Sequence, residues 1–423
     1  VVSAGFIKKL EIDERHFVSF DVELTTPACP LKASFKQQCE EAVSALPWVE
    51  GVNVSMSSRA QSRSPLAEAA PGLADVAHVV AISSCKGGVG KSTLAVNLAY
   101  ALSKAGAAVG LFDADVYGPS LPTLVDAKEH ELRTAEGLIQ PIEHEGVKLM
   151  SFGYATERND QAAIMRGPMV SNVIRQLLTG TNWGRLDYLV IDMPPGTGDI
   201  QLTLTQIVPI DGAVIVTTPQ RLSFVDVIKG IQMFQTVKVP TLAVVENMSY
   251  FECGKCGERH QLFGTGARER IVRMFGIDNA FEVPIDPEIS RLGDAGRPVM
   301  LEQPESSSGE IYASIAGAVT REVSRLAHGE QSTAVLRFDE QERVLVLLRP
   351  DHDAARIDPA ELRRRCQCAG CQDEMTGERI LKDEDVPDDV VPVSIEPMGN
   401  YAAAIVWSDG HSSSIYPYDK IPR

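Results

Sequence analysis

Between residues 78 and 327, short runs of consecutive apolar, β-branched residues alternate with stretches whose apolar positions recur at helical spacing. The runs predict strands at Val79–Ser83, Ala108–Phe112, Val147–Ser151, Tyr188–Asp192, Ala213–Thr217, Leu242–Glu246 and Phe281–Pro284. The periodic stretches predict helices at Lys91–Ala105, Met169–Leu178, Ile200–Val208, Phe224–Phe234 and Gly309–Ala327. Strands that are apolar throughout need cover on both faces. The alternation therefore predicts an α/β fold with a mostly parallel sheet between helical layers. The flanks pattern differently. Over residues 1–58, an alternating strand at Phe17–Leu24, a helix at Phe35–Ala45 and a strand at Val52–Met56 predict a small α+β unit. Residues 59–77, rich in Ser, Ala and Pro without an apolar period, read as a linker. Past a hinge at His328–Ser332, residues 333–423 carry β-type patches at Arg343–Leu348, Val391–Ile395 and Ala402–Trp407, which predict a β-rich third domain.

Charge removes several function classes. With 57 acidic against 40 basic residues the net charge is −17, the wrong sign for a general nucleic-acid binder or a protein seated on anionic lipid. No apolar run approaches the roughly 18 residues of a membrane span. The first residue is Val1 rather than Met, which fits either a removed targeting segment or a shortened chain. Eight cysteines are too sparse for a disulfide framework. Their clustering as Cys253/Cys256 (C-x-x-C) and Cys366/Cys368/Cys371 (C-x-C-x-x-C) suits metal ligation instead.

The strongest chemical signal is Cys85-Lys86-Gly87-Gly88-Val89-Gly90-Lys91-Ser92-Thr93, between a predicted strand and a predicted helix. Glycines there let backbone N–H groups turn inward around phosphate oxygens, and the helix N-terminus adds partial positive charge. Lys91 is placed to reach the β/γ-phosphates of ATP, Ser92 to hold Mg²⁺ and Thr93 to touch the α-phosphate. Cys85 stands where the usual pattern has its first glycine. Asp113 and Asp115 follow a strand end, where either can orient the attacking water or reach Mg²⁺ through water. Asp192 ends a hydrophobic strand, the placement of a magnesium-binding carboxylate. Asp199, after Pro-Pro-Gly-Thr-Gly, belongs either to a phosphate-sensing switch or to a structural turn.

These residues carry a resemblance. KGGVGKST, DADVYGPS, IDMPPGTGD and then Glu246-Asn247-Met248-Ser249-Tyr250-Phe251 before C-x-x-C look like the Mrp/ApbC-type iron–sulfur carrier ATPases over His78–Leu326. Lys86 before Gly-Gly resembles the deviant P-loop group of ParA, MinD and the nitrogenase iron protein. That resemblance implies that Lys86 reaches the nucleotide of a partner subunit in a face-to-face homodimer. It also implies that Asn247 sits against the adenine. Two thiolates per subunit from Cys253 and Cys256, doubled across a two-fold axis, would supply the four sulfurs of a [4Fe–4S] cluster. Half a zinc site and a thioredoxin-like pair are the rival readings.

The flanks add to it. Thr25-Thr26-Pro27-Ala28-Cys29-Pro30 resembles the small cysteine-bearing domain of the SufT type, which makes Cys29 a candidate transient ligand beside the alternative of a buried thiol. Residues 333–423 resemble a domain often fused behind this ATPase, and Cys366, Cys368 and Cys371 could there hold a cluster or zinc with a fourth ligand, or form a docking knuckle. The three-block order resembles plastid carriers of the high-chlorophyll-fluorescence type. This implies a chloroplast stroma location (mitochondrion and bacterial cytoplasm being alternatives) and service to photosystem I. The function implied is an ATP-dependent carrier with slow hydrolysis that takes clusters from an upstream assembly scaffold to apo iron–sulfur proteins. A ParA/MinD-like positioning ATPase and a zinc-stabilised interaction scaffold remain as alternatives.

Overall fold

The computed structural model describes the chain apart from residues 1–6, 14, 25–27, 29–31, 59–69, 128–131, 136, 156–166, 197, 278, 328–334, 350–351, 369, 373–377, 399–401, 413, 419 and 422–423. The first unit contains strands β1 (Ile7–Ile12), β2 (Phe17–Leu24) and β3 (Gly51–Ser58) with helix α1 (Lys32–Ser44). β1 pairs antiparallel with β2, and β2 pairs parallel with β3, so α1 is the crossover that a parallel pair requires. Val18, Phe20, Val22 and Val54 form its small core. β1 carried no readable pattern because five of its six residues are exposed.

The central unit is an eight-stranded sheet. Its members are β4 (Val76–Ser83), β5 (Val109–Asp113), β6 (Ile142–His144), β7 (Val147–Ser151), β8 (Leu186–Asp192), β9 (Gly212–Thr217), β10 (Thr241–Glu246) and, past a two-stranded hairpin β11 (Phe251–Glu252) and β12 (Arg259–His260), β13 (Ala280–Glu282). The order is β13-β10-β9-β4-β8-β5-β7-β6, parallel except for the edge strand β6. Two apolar layers flank it. One packs α2 (Lys91–Lys104) and α7 (Ser307–Ala327) on the sheet through Leu98, Leu102, Ile315 and Val319. The other packs α3 (Gly167–Gly180), α4 (Asp199–Ile207), α5 (Arg221–Thr236) and α6 (Ala267–Phe275) through Ile174, Leu204, Ile231 and Phe275. Each strand read from an apolar run is present, within a few residues at its ends.

Part of the expected linker is folded. Residues 71–73 form a 3-10 turn, Leu73 is fully buried in the second apolar layer, and β4 starts at Val76. An isolated Leu between Ala and Gly gives no period, so this docking was invisible to patterning; residues 59–69 of the linker lie outside the described residues.

The last unit has two three-stranded antiparallel sheets. One is β14 (Val335–Asp339), β15 (Val344–Arg349) and β16 (His352–Ile357). The other is β17 (Pro392–Met398), β18 (Ala402–Trp407) and β19 (Ser414–Pro417). Helix α8 (Pro359–Arg364) lies between them in sequence, its N-terminus capped by Asp358, which accepts from the Glu361 amide. Leu345, Leu347, Ile357, Leu362 and Trp407 make a separate core. Ile415 also packs on the central unit's second layer, so the two units touch.

Candidate functional site

Three sequence-predicted carboxylates and the P-loop meet at the carboxyl ends of β4, β5, β8 and β10, the edge where open α/β sheets bind ligands. The loop after β4 turns through Gly88 and Gly90 with φ of 76° and 86°, conformations that side chains rarely adopt. Gly87 and Gly88 are exposed, and a Cβ added at either would meet nothing within 4 Å, so the loop borders open space from which a phosphate can approach its backbone. α2 starts at Lys91 with Gly90 as its N-cap, which aims the helix N-terminus at that space. Val89 is buried below the loop, while Ser92 and Thr93 are half-buried in the first turn.

Lys91 is buried and pairs with Asp192, its Nζ 2.5 Å from Oδ1 and 3.3 Å from the Ser92 hydroxyl. Burial pushes the Asp192 carboxyl above its usual range, and the Lys91 charge opposes that shift. A lysine, a hydroxyl and a carboxylate beside an open backbone cradle are the donor set that Mg²⁺ and a triphosphate need, so the residues present fit both. Asp113 lies directly across from Asp192 in the β5–β8 register. Its carboxylate accepts from the amides of Asp115, Ser120 and Leu121 and from the Ser151 hydroxyl, and it is 1% exposed. Burial, then the Asp192 charge, drive it up to about 7. Four donors occupy Asp113 in organising its own loop. Asp115, half-buried with one bond from the Gly118 amide, retains more acceptor capacity toward the cradle. Sequence spacing had no means to separate the two. The side chain of Asp199 lies outside the described residues.

Asn247 follows β10 and donates from Nδ2 to the Val89 carbonyl at 2.8 Å, stitching the loop after β10 to the P-loop. The fit is tight: a Cβ on Gly90 would come 2.1 Å from that nitrogen. Lys86 points to α5 instead, its Nζ 3.2 Å from Asp226. Asp226 was not singled out from sequence, because nothing in a helical pattern marks a partner lying 140 residues downstream. Cys85 sits against the same helix, and a Cβ on Gly230 would approach its sulfur to 2.5 Å.

Cys253 and Cys256 occupy the tip of the β11–β12 hairpin, two residues per strand and too short to read from a pattern. Glu246 holds its base: the Ser249 hydroxyl donates to the buried carboxylate at 2.8 Å, and the Arg268 amide at 3.0 Å. Tyr250 stacks under Arg259. Cys256 is exposed and Cys253 half-buried. Amides of Lys255 and Cys256 point at the Cys253 sulfur and lower its pKa, whereas burial pushes the Cys85 thiol up to about 11. Since the thiolate is the nucleophile, iodoacetamide at pH 8 should modify Cys253 at least tenfold faster than Cys85, about a thousandth of which is ionised there. Peptide mass spectrometry over a time course measures this, and equal rates would contradict the assigned environments.

The C-terminal trio gains a fourth member. Cys366, Cys368, Cys371 and His411 place their ligand atoms within 4.8 Å of one another. His411 Nε2 lies 3.4, 3.3 and 3.8 Å from the three sulfurs. Such spacing is what a single four-coordinate ion with metal–sulfur bonds of about 2.3 Å imposes on its ligands. The shell behind it is built. Asp409 accepts from the His411 amide at 3.0 Å and from Arg363 at 2.8 Å, and Arg363 in turn lies 3.5 Å from the Cys371 sulfur. The hydrogen bond with Cys368, then burial, raise the Cys366 thiol; a cation at the centre reverses both through its own charge. Sequence reading named the trio and left the fourth ligand open. A histidine in the tight turn after an apolar strand, Trp407-Ser408-Asp409-Gly410-His411, was the available signal. Cys29 lies outside the described residues, and Cys39 is half-buried on α1.

Comparison with known proteins follows the same three blocks. Residues 75–320 match the family model of the NUBPL iron-transfer P-loop NTPases, residues 1–56 that of an iron–sulfur cluster assembly protein, and residues 336–421 that of the gamma-butyrobetaine hydroxylase-like N-terminal domain. The chloroplastic Fe-S cluster assembly factors HCF101 of Oryza sativa and Arabidopsis thaliana are each 48% identical over 100% of this chain and 78% of their own length. An iron-sulfur cluster carrier protein of Synechocystis is 44% identical over 73% of this chain and 89% of its own. Among solved structures, a nucleotide-binding protein of Archaeoglobus fulgidus in complex with ADP is 37% identical with a TM-score of 0.51, covering 60% of this chain and 98% of that one. With a family match across the central sheet and relatives that align along the whole of this chain, the chain belongs to the iron-transfer P-loop NTPases.

Proposed function

We propose that this protein is an ATP-dependent carrier that holds a [4Fe–4S] cluster between two copies of the chain and transfers it to apo iron–sulfur proteins. The observation that carries the reading is the stitch between nucleotide and cysteine loops. Asn247, bonded to the Val89 carbonyl, and Cys253, on the hairpin tip, lie on one short segment anchored by Glu246. A movement of the P-loop is thereby passed to the hairpin. Cargo bound by thiolates of two subunits would feel it strongly, because both hairpins must keep a fixed separation.

Catalysis in this reading is electrostatic. Lys91 and the loop amides stabilise charge on the transferring phosphoryl group, while Ser92 and Asp192 would hold Mg²⁺, which supplies further charge neutralisation. Lys91 must leave Asp192 to reach phosphate, and Asp115 is the carboxylate proposed to orient water. Lys86 is proposed to leave Asp226 and reach the nucleotide of the partner subunit, making the dimer ATP-dependent. Gly87, Gly88, Val89, Gly90 and Thr93 contribute the cradle. Hydrolysis is proposed to be slow and paced by transfer. The tetrad Cys366/Cys368/Cys371/His411 is proposed to hold one structural ion, zinc by its ligand set. A chloroplast stroma location and service to photosystem I are proposed on the chloroplastic relatives. No helix among the described residues is long and apolar enough to cross a membrane.

The test is Cys253→Ser with Cys256→Ser in the full chain, reconstituted anaerobically. Broad iron–sulfur absorption and transfer to an apo acceptor should vanish, with ATP hydrolysis largely kept. Wild type should hold about four irons per dimer at this site. Full loading and transfer by the double variant would place the carrier site elsewhere.

A further inference from the structure

Between α5, α6 and the C-terminal unit lies a cavity of about 550 Å³. Cys366 and Cys368 form part of its wall, so two ligands of the tetrad border this solvent-open cavity. Ile228 and Gln232 of α5 also line it. Arg365, Arg379 and Lys420 line it as well; Arg365 is paired with Glu361 and Arg379 with Asp383, but neither carboxylate is itself a lining residue. Cations at the wall with their carboxylate partners set behind it favour entry of anionic ligands.

α5 has a second face. Asp226, paired with Lys86, and Gly230, packed on Cys85, are four residues apart and share one side of the helix. Ile228 and Gln232 share the same spacing but are displaced by two residues, about 200° around the axis. One rigid helix thus presents one side to the P-loop and the other to the metal-site cavity.

We propose that this cavity is the exchange chamber of the Cys366/Cys368/Cys371/His411 site, with α5 as its nucleotide-linked wall. Zinc leaves as a dication onto the donor atoms of an anionic chelating ligand, and the three vacated thiolates take up protons given up by that ligand and by water. Release of Lys86 from Asp226 frees α5 from the P-loop and widens the chamber; this step rests on the nucleotide reading above. Coupling of this kind is reciprocal and typically changes an affinity about 5- to 150-fold.

The experiment loads the full chain with zinc, confirms one ion per chain, and follows its capture by 4-(2-pyridylazo)resorcinol. Nucleotide binding is measured on the same samples with a fluorescent ATP analogue. Mg²⁺ with a non-hydrolysable ATP analogue should speed capture about fivefold or more. Asp226→Asn should give the fast rate without nucleotide. Gln232→Trp should slow capture by filling the chamber, whereas Gln232→Ala, which leaves it open, should not. A sample that binds nucleotide but captures at an unchanged rate overturns the coupling. Equal rates in Gln232→Trp and wild type overturn the chamber. Loss of nucleotide binding in the wild type would instead defeat the reading of the P-loop.

Discussion

Lys91→Ala should abolish Mg·ATP hydrolysis and lower stability by about 3–5 kcal/mol, the usual consequence of stranding one member of a buried ion pair. Both effects come from one contact. Lys91 and Asp192 are buried together at 2.5 Å, and their removal from water is tolerated because each neutralises the other. Without the lysine, Asp192 loses the charge that opposes its upward shift, and protonation then relieves part of the penalty. The double variant Lys91→Ala/Asp192→Asn should therefore recover much of the lost stability while remaining inactive. Lys91→Met, which keeps the apolar stem, should behave like the alanine variant in turnover and unfold at higher urea. Phosphate release and urea midpoints separate the outcomes. Unchanged turnover in Lys91→Ala would remove the P-loop assignment; equal midpoints in the single and double variants would show that a stranded Asp192 carries no penalty.

What could be read from sequence follows the physics of burial. β4, β8, β9 and β10 are covered on both faces, so each contains consecutive apolar residues, at positions 79–82, 188–191, 213–216 and 242–245. The P-loop was legible because backbone cradling demands glycines at fixed spacing and a lysine beside them. Three-dimensional pairings were not legible. Asp113 and Asp115 differ by two positions, yet one is saturated by four donors and the other is not. Lys86 stood out by its place before Gly-Gly, yet its pairing with Asp226 arises only because α5 brings that carboxylate to it. His411 lies some 40 residues from its partner cysteines and reaches them only because the β18 turn is fixed by Asp409, itself held by Arg363. Spacing rules capture ligands that share a loop. They miss a ligand that the fold delivers from another strand.

His411→Ala is the second change expected to have a large effect, and it acts on the fold rather than on hydrolysis. The tetrad joins the end of α8 to the turn after β18. Among the described residues Arg363 also reaches Asp409, and Leu362 and the ligands Cys366 and Cys371 pack in one core with Trp407. Structural zinc stabilises small domains by on the order of 10 kcal/mol, so losing one of four ligands removes a sizeable part of that. Cys366 and Cys371 belong to the unit's own apolar core with Leu345, Leu347 and Trp407, a core separate from the two that cover the central sheet. Loss should therefore stay within this unit. Amide exchange should rise most at Cys366–Cys371 and Asp409–His411, less in β15, and not at all in the central sheet. His411→Cys, which restores a four-ligand set, should return both zinc stoichiometry and exchange protection, since Cys₄ and Cys₃His are both four-coordinate solutions for zinc. A fall in protection that His411→Cys leaves uncorrected, or one spread evenly over the central sheet, would mean that His411 acts by packing and not by holding an ion.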